Sequence, residues 1–354
     1  VNPPLHGGNV AWAATIAGCP ASALLDFSAS INPLGPPPSV MAAIQGAFIQ
    51  LCHYPDPTYS QLRSQLSRYH QVAPEWILPG NGSAELLTLA GRSLSQLSST
   101  VMITPAFGDY YRSLAAFDGQ IVPIPWPVEQ TFPLLQLQTL SLKEAGLLLN
   151  NPHNPTGYLL PKSDILPLLS RFKLVLVDEA FMDFLPPENQ HSLVSDLANY
   201  PNLIILRSLT KFYSLPGLRF GYALGHPEIL QQWQAWRDPW PVNVLAEAAA
   251  IAALEDQHFQ QQTWDWLTST RQQLQQALSQ LPSLNPLTSA ANFLLVQTEI
   301  PASQLQKSLL INHQILIRDC LSFPELGDRF FRVAVRTELD NQRLIATLGA
   351  CLES

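Results

Sequence analysis

Leu203-Ile204-Ile205-Leu206-Arg207-Ser208-Leu209-Thr210-Lys211-Phe212-Tyr213-Ser214-Leu215-Pro216-Gly217-Leu218-Arg219 decides the reading of this chain. Its opening apolar run suits a buried strand. The strand is left through Ser208 and Thr210, and the chain arrives at Lys211. It turns at Pro216-Gly217, and Leu218-Arg219-Phe220-Gly221-Tyr222 starts another strand. One reading of Lys211 is a solvated loop lysine, as most lysines are. The other is a partly desolvated amine of lowered pKa, the state in which lysine condenses with an aldehyde. The rest of the chain favours the second.

Flanking segments repeat the strand-then-polar-loop pattern. Trp76-Ile77-Leu78 runs into Gly80-Asn81-Gly82-Ser83-Ala84, then a helix through Leu97. Thr100-Val101-Met102-Ile103-Thr104 runs into Pro105-Ala106-Phe107-Gly108 and a further helix. Gln120-Ile121-Val122-Pro123-Ile124 is another strand. Ala145-Gly146-Leu147-Leu148-Leu149 enters Asn150-Asn151-Pro152-His153-Asn154-Pro155-Thr156-Gly157, and Lys173-Leu174-Val175-Leu176-Val177 ends at Asp178. Apolar strands separated by helices predict an α/β fold with a mostly parallel sheet covered on both faces.

Upstream, Asn9 caps a helix through Ala17 that Gly18 ends. Leu24-Leu25-Asp26-Phe27-Ser28 is a short strand; helices follow over 39–49 and 59–69, separated by the loop holding Tyr54-Pro55. Downstream, the tryptophan-rich segment Trp233 to Trp240 reads as a domain boundary. Helices over 244–254, 264–281 and 339–352 and strands at Asn292-Phe293-Leu294-Leu295-Val296, Ile315-Leu316-Ile317 and Phe330-Phe331-Arg332-Val333-Ala334-Val335 make a small α+β domain. The expected division is an N-terminal segment, 1–45, joining a small C-terminal domain, 236–354, with a large domain over 46–235 between them.

Composition narrows the function. The 354 residues are 47% hydrophobic and 13% charged, enough for a large core. A net charge of −8 with no basic run argues against nucleic acid or an anionic membrane as the main partner. No apolar run approaches the roughly 20 residues that span a bilayer, and Val1-Asn2-Pro3-Pro4-Leu5 lacks the pattern of a signal peptide. Cys19, Cys52, Cys320 and Cys351 are scattered, as reduced thiols of a cytoplasmic protein are. The histidines lack metal-ligand spacing, so no metal site is expected.

In an open parallel sheet, ligands sit beyond the carboxyl ends of the strands. Gly82 and Ser83 open a helix there, where free N–H groups can meet an anion; an ordinary capped helix reads the same way. Asp178 ends an apolar strand, either as an ion-pair partner or as the acid that keeps a ring nitrogen protonated. Asn154 sits in a double Asn-Pro turn, which is a rigid loop or a platform for an amide donor. Phe107 is core or a stacking face. Together, anion-binding glycines, an aromatic, Asn-Pro, a strand-end Asp, Ser-x-x-Lys and Arg219, in that order, closely resemble the fold-type I pyridoxal-phosphate aminotransferase family. The resemblance runs from His6 to the final helix. It implies that fold, with a mostly parallel sheet in the large domain and a smaller α+β domain. The cofactor it implies is pyridoxal 5'-phosphate, on Lys211 as a Schiff base. Asp178 then pairs with the pyridinium, Asn154 reaches the ring oxygen, and Phe107 stacks. Gly82, Ser83, Ser208 and Arg219 hold the phosphate, and Tyr54 reaches it from the partner subunit of a homodimer.

Two branches of the family compete. Decarboxylases of O-phospho-L-threonine make (R)-1-aminopropan-2-yl phosphate for cobalamin biosynthesis, and aminotransferases of histidinol phosphate serve histidine synthesis. The opening His6-Gly7-Gly8-Asn9 and Asp178-Glu179-Ala180-Phe181-Met182-Asp183-Phe184 look like the decarboxylase; the aminotransferase more often has Tyr at Phe181. By that likeness His6, Gly7, Asn154, Arg318 and Arg332 grip a small phosphorylated amino acid, with Arg332 on its carboxylate. Ser30 stands where both branches usually have Asn, and a shorter side chain there leaves room for water or a larger substrate. Arg336 has either a site role or a rim salt bridge. A third reading, a pyridoxal-phosphate-binding module without catalysis, lacks the basic arm or DNA-reading helix pair of a transcription factor. Decarboxylation and transamination use the same residues. They differ in which Cα bond is held perpendicular to the ring, a matter of about 1 Å in positioning.

Overall fold

The computed structural model describes residues 6–140 and 142–353. The reading of Val1 to Leu5 therefore lies outside the described residues. In chain order the strands are β1 (Leu25–Asp26), β2 (Ile77–Asn81), β3 (Thr100–Thr104), β4 (Ile121–Pro125), β5 (Gly146–Asn150), β6 (Leu174–Asp178), β7 (Leu203–Ser208), β8 (Phe220–Gly225), β9 (Leu284–Pro286), β10 (Phe293–Thr298), β11 (Ile315–Leu316) and β12 (Phe330–Ala334). The helices are α1 (Val10–Ala17), α2 (Pro38–Ala47), α3 (Ser60–His70), α4 (Gly82–Ser95), α5 (Gly108–Ala115), α6 (Leu134–Thr139), α7 (Lys162–Leu169), α8 (Pro227–Trp236), α9 (Val244–Glu255), α10 (Gln257–Ser279), α11 (Ala302–His313) and α12 (Glu338–Glu353).

The described residues form a seven-stranded sheet in the order β2-β8-β7-β6-β5-β3-β4. Only β8 runs against its neighbours. Strand side chains alternate between faces, and both faces here are apolar. Leu203 and Ile205 join the core with α7, α9 and α10, whereas Ile204 and Leu206 join the one under α4, α5 and α8. That two-sided burial explains the unbroken apolar runs. Cutting Ile204 to Ala would cost about 2–5 kcal/mol, because its site is fully enclosed.

The N-terminal segment joins the C-terminal part of the chain. β1 pairs in parallel with β11, Leu25 opposite Ile315, and α1 packs near α11 through Ala13, Leu310 and Leu316. β12-β10-β9 form an antiparallel sheet, tied to the segment by Ala334 N–H on the carbonyl of Phe27 at 2.8 Å. Asn9 caps α1, accepting from Trp12 N–H, and Gly18 ends it in the left-handed region. Among the described residues, no helix is long and apolar enough to cross a membrane.

Several boundaries differ from the sequence reading. The strand expected at 24–28 shortens to β1. The helix expected over 39–49 ends at Ala47 and tightens into a short turn, Phe48–Cys52. α10 begins earlier, because the Asp256 carboxylate caps it by accepting from Phe259 N–H at 2.9 Å. The tryptophan-rich stretch starts inside α8, where Trp233 is buried and donates to Ser93 Oγ at 2.8 Å. α6, α7, α11 and β9 are short or weakly amphipathic, and α7 even contains Pro167, so no sequence pattern announced them.

Candidate active site

The carboxyl ends of β2, β3, β5, β6 and β7 meet at one edge of the sheet and open a cavity of about 290 Å³. His6, Gly7, Ser30, Ser83, Phe107, Asn154, Asp178, Ser208, Lys211, Arg219, Arg318 and Arg332 all line it.

One end of the cavity is built for an anion. The first turn of α4 leaves N–H groups without intrahelical acceptors, and the helix dipole favours negative charge there. Ser208 and Thr210 share a hydroxyl hydrogen bond of 2.7 Å beside it. Arg219 turns back in the left-handed region and is anchored to the carbonyl of Pro216 at 3.0 Å. Gly82 borders this end. Its φ is +75°, and a Cβ there would come within 2.6 Å of the Arg219 guanidinium. A side chain at Gly82 would therefore displace that arginine.

Lys211 and Asp178 form the centre. Burial pulls the Lys211 amine below its ordinary value; Arg332 and Arg219 add to this, while Asp178 opposes it. Its Nζ lies 4.8 Å from the ring centre of Phe181. The backbone that leaves Lys211 is pinned, since Asn32 N–H bonds the carbonyl of Lys211 at 3.0 Å and Asn32 Nδ2 bonds that of Phe212 at 2.8 Å. Asp178 is buried, which raises its pKa, against the pull of Lys211 and its hydrogen bonds. Tyr110 Oη donates to its Oδ2 at 2.8 Å and Ala180 N–H to its Oδ1 at 3.0 Å.

At the other end, two arginines sit side by side. The backbones of Arg318 and Arg332 exchange hydrogen bonds of 3.0 and 2.7 Å. Arg332 is buried over the Phe293 ring, and burial lowers its pKa to about 10. Its Nη1 donates to Asn154 Oδ1, which leaves the Asn154 NH₂ free to donate. The Asn154 backbone is fixed by Asn150 Oδ1 at 2.6 Å. His6 leans on Phe107, ring centres 5.6 Å apart. Gly7 is packed so closely on Ser28 that a Cβ would lie 2.2 Å from the Ser28 carbonyl oxygen. Ser30 Oγ is buried without a hydrogen-bond partner among the described residues.

Tyr54 is not brought to the cavity within this chain. It is 79% exposed and stacks on Trp240 with ring centres 4.5 Å apart. Arg336 also faces elsewhere, pairing with Asp340 at 3.1 Å and donating to the carbonyl of Asp26 at 3.2 Å, which is the rim salt bridge. Sequence reading missed Tyr110, Asn150, Thr210 and Ser322 as cavity residues. Tyr110 lies one helical turn beyond Phe107 and so shares its face, the single signal available for it.

The donor set fits pyridoxal 5'-phosphate part by part. Gly82, Ser83, Ser208 and Arg219 would hold a phosphate. Asp178 would hold a ring N–H, the free amide of Asn154 a ring oxygen, Phe107 a ring face, and Lys211 the aldehyde. The aminotransferase class I and II family pattern matches residues 22–348. A threonine-phosphate decarboxylase of Salmonella typhimurium is 39% identical, covering 97% of this chain and 95% of its own. A histidinol-phosphate aminotransferase of Symbiobacterium thermophilum is 34% identical, covering 93% of this chain and 91% of its own. The solved histidinol-phosphate aminotransferase of Clostridium acetobutylicum superposes with a TM-score of 0.87 at 29% identity, over 93% of this chain and 99% of that one. With the sheet order, the cavity and these matches in agreement, this chain belongs to the aminotransferase class I and II family.

Proposed function

We propose that the protein decarboxylates O-phospho-L-threonine to (R)-1-aminopropan-2-yl phosphate, a step of cobalamin biosynthesis. The observation that carries this is the Arg318 and Arg332 pair facing the same cavity as Lys211, a place for a substrate with two acidic groups. The His6-Gly7 opening against Phe107 and the hydroxyl-free Phe181 beside Lys211 support the decarboxylase over the aminotransferase.

Bound in this site, pyridoxal 5'-phosphate supplies an electron sink for the pair left when a bond at the substrate Cα breaks. The chain's residues do the rest. Lys211, its pKa lowered by burial, would be the group that meets the aldehyde and yields its place to the substrate amine. Asp178 would keep the ring nitrogen protonated. Arg332 orients the substrate carboxylate so that its bond to Cα breaks, and carbon dioxide leaves without the electron pair. Lys211, protonated and beside Cα, returns a proton there. Arg318, His6 and Gly7 hold the distal phosphate, and Ser30 offers the substrate its unpartnered hydroxyl.

The same reading makes the protein a cytoplasmic homodimer with Tyr54 completing the partner's phosphate site. Phe48, Ile49 and Leu51 in the turn after α2, and Tyr54 stacked on Trp240, are exposed apolar side chains, which supports it. It also keeps 46–235 as the large domain and 236–354 with 1–45 as the small one, for which the pairing of β1 with β11 speaks.

Purified protein given O-phospho-L-threonine should release carbon dioxide and no keto acid. The alternative is histidinol-phosphate aminotransferase activity, favoured by the 34% identical relative. Glutamate formed from 2-oxoglutarate and histidinol phosphate would decide for it. Coenzyme binding with turnover of neither substrate would decide for a non-catalytic module.

A further inference from the structure

The loop after β11 folds back on itself. Cys320 adopts φ +56° at its apex, Phe323 N–H bonds the carbonyl of Cys320 at 2.9 Å, and Ser322 returns beside Arg318. Arg318 Nη2 then donates to Ser322 Oγ at 2.5 Å, and both residues line the cavity. A guanidinium can only donate, so Ser322 Oγ must be the acceptor. Its own O–H proton is thereby left over. Among the described residues it donates no hydrogen bond.

The position of Arg318 fixes what that proton can serve. Arg332 lies over the Phe293 ring, which packs against Phe181, the ring beside the Lys211 amine, so Arg332 borders the reacting amine, whereas Arg318 is turned to Ser322. An amino acid bound beside Lys211 places its carboxylate next to Cα, hence at Arg332, and its side-chain anion farther out, hence at Arg318. A phosphate monoester has three terminal oxygens, and one guanidinium fork faces at most two of them.

We propose that Ser322 is a substrate-binding residue that determines specificity, its hydroxyl donating to the distal phosphate while Arg318 holds it in place. The inference rests on the phosphorylated-substrate reading above but not on which phosphorylated amine is used.

The test is the binding preference for phosphorylated over dephosphorylated ligand, measured by calorimetry. Two pairs are used, O-phospho-L-threonine against L-threonine and histidinol phosphate against histidinol. The pair that wild type discriminates tests the proposed function. Ser322→Ala should cut that discrimination about tenfold or more, the worth of one hydrogen bond to a charged group. Affinity for the dephosphorylated ligand should stay within about twofold. Ser322→Thr should restore the discrimination, and a urea midpoint equal to wild type should accompany both variants. Discrimination unchanged in Ser322→Ala, or equal weakening of both ligands, overturns the proposal; loss in both Ala and Thr variants would make Ser322 a packing residue and overturn it too.

Discussion

Tyr110 stands 2.8 Å from Asp178, its hydroxyl donating to the carboxylate that ends β6. This contact joins α5 to the centre of the sheet edge, and with Ala180 N–H it gives each carboxylate oxygen one fixed donor. An ionised Asp178 is what a protonated ring nitrogen needs, yet burial pushes the carboxyl toward its neutral form. The hydroxyl counters that push.

Tyr110→Phe should therefore raise the Asp178 pKa further and weaken coenzyme binding about tenfold, since a hydrogen bond to a charged group is worth roughly 1.5–3 kcal/mol. Fluorescence titration of apoprotein with pyridoxal 5'-phosphate measures it. An unchanged dissociation constant would mean that Lys211 alone keeps Asp178 charged.

Lys211→Ala should abolish the visible absorbance of the covalently held coenzyme. In wild type, only the neutral amine attacks an aldehyde. Because burial lowers the pKa of Lys211 below 10.5, the rate of coenzyme uptake should climb with pH and level off below that value. A rate still climbing above pH 10.5 would show an ordinary, solvated lysine.

His153 is buried, bonded through Nδ1 to Thr156 Oγ1 at 2.9 Å, and burial lowers its pKa from 6.5 to about 4. The unfolded chain takes up its proton near 6.5 and the folded one only near 4. Stability is thus full above pH 6.5 and is lost as pH falls toward 4. From pH 7.5 to pH 5 this one group should cost about 2 kcal/mol in a urea titration. His153→Gln should flatten that part of the profile; an identical slope in the variant would assign the loss to other groups.

Arg207 sits under the Lys211 loop between Glu179 and Asp183, at 3.0 and 2.6 Å, all three side chains buried. Arg207→Leu leaves two buried carboxylates without their cation. It should cost about 3–5 kcal/mol in urea denaturation. A cost under about 1 kcal/mol would mean that water reaches the pair.

Much of this was legible beforehand because it is local. Apolar runs bounded by Gly, Pro and Asn marked the sheet, and Asn9 and Gly18 marked the ends of α1 from their own chemistry. The polar groups at the strand ends were legible too, since strands read in order place their carboxyl ends at a common edge. Short elements such as α6 and β9 carry too few residues for a periodic signal. Ser322 was invisible because a serine in a loop has no pattern of its own, and Tyr110 had only its helical spacing from Phe107 to mark it.

The sequence by itself determined that a helix start, an acid and an amine each follow an apolar strand, because a strand and the polar loop that leaves it are consecutive residues. Only the tertiary structure decided which atoms face each other. Asn154 turns its oxygen to Arg332, Tyr110 bonds Asp178, Arg336 turns away to Asp340, and Ser322 keeps a proton to spare. The first two contacts join residues 178 and 68 positions apart, and the other two, though four apart in the chain, depend on the surfaces those segments meet in the fold. Packing and the tendency of buried polar groups to find partners settle them, and neither acts until the chain has closed on itself.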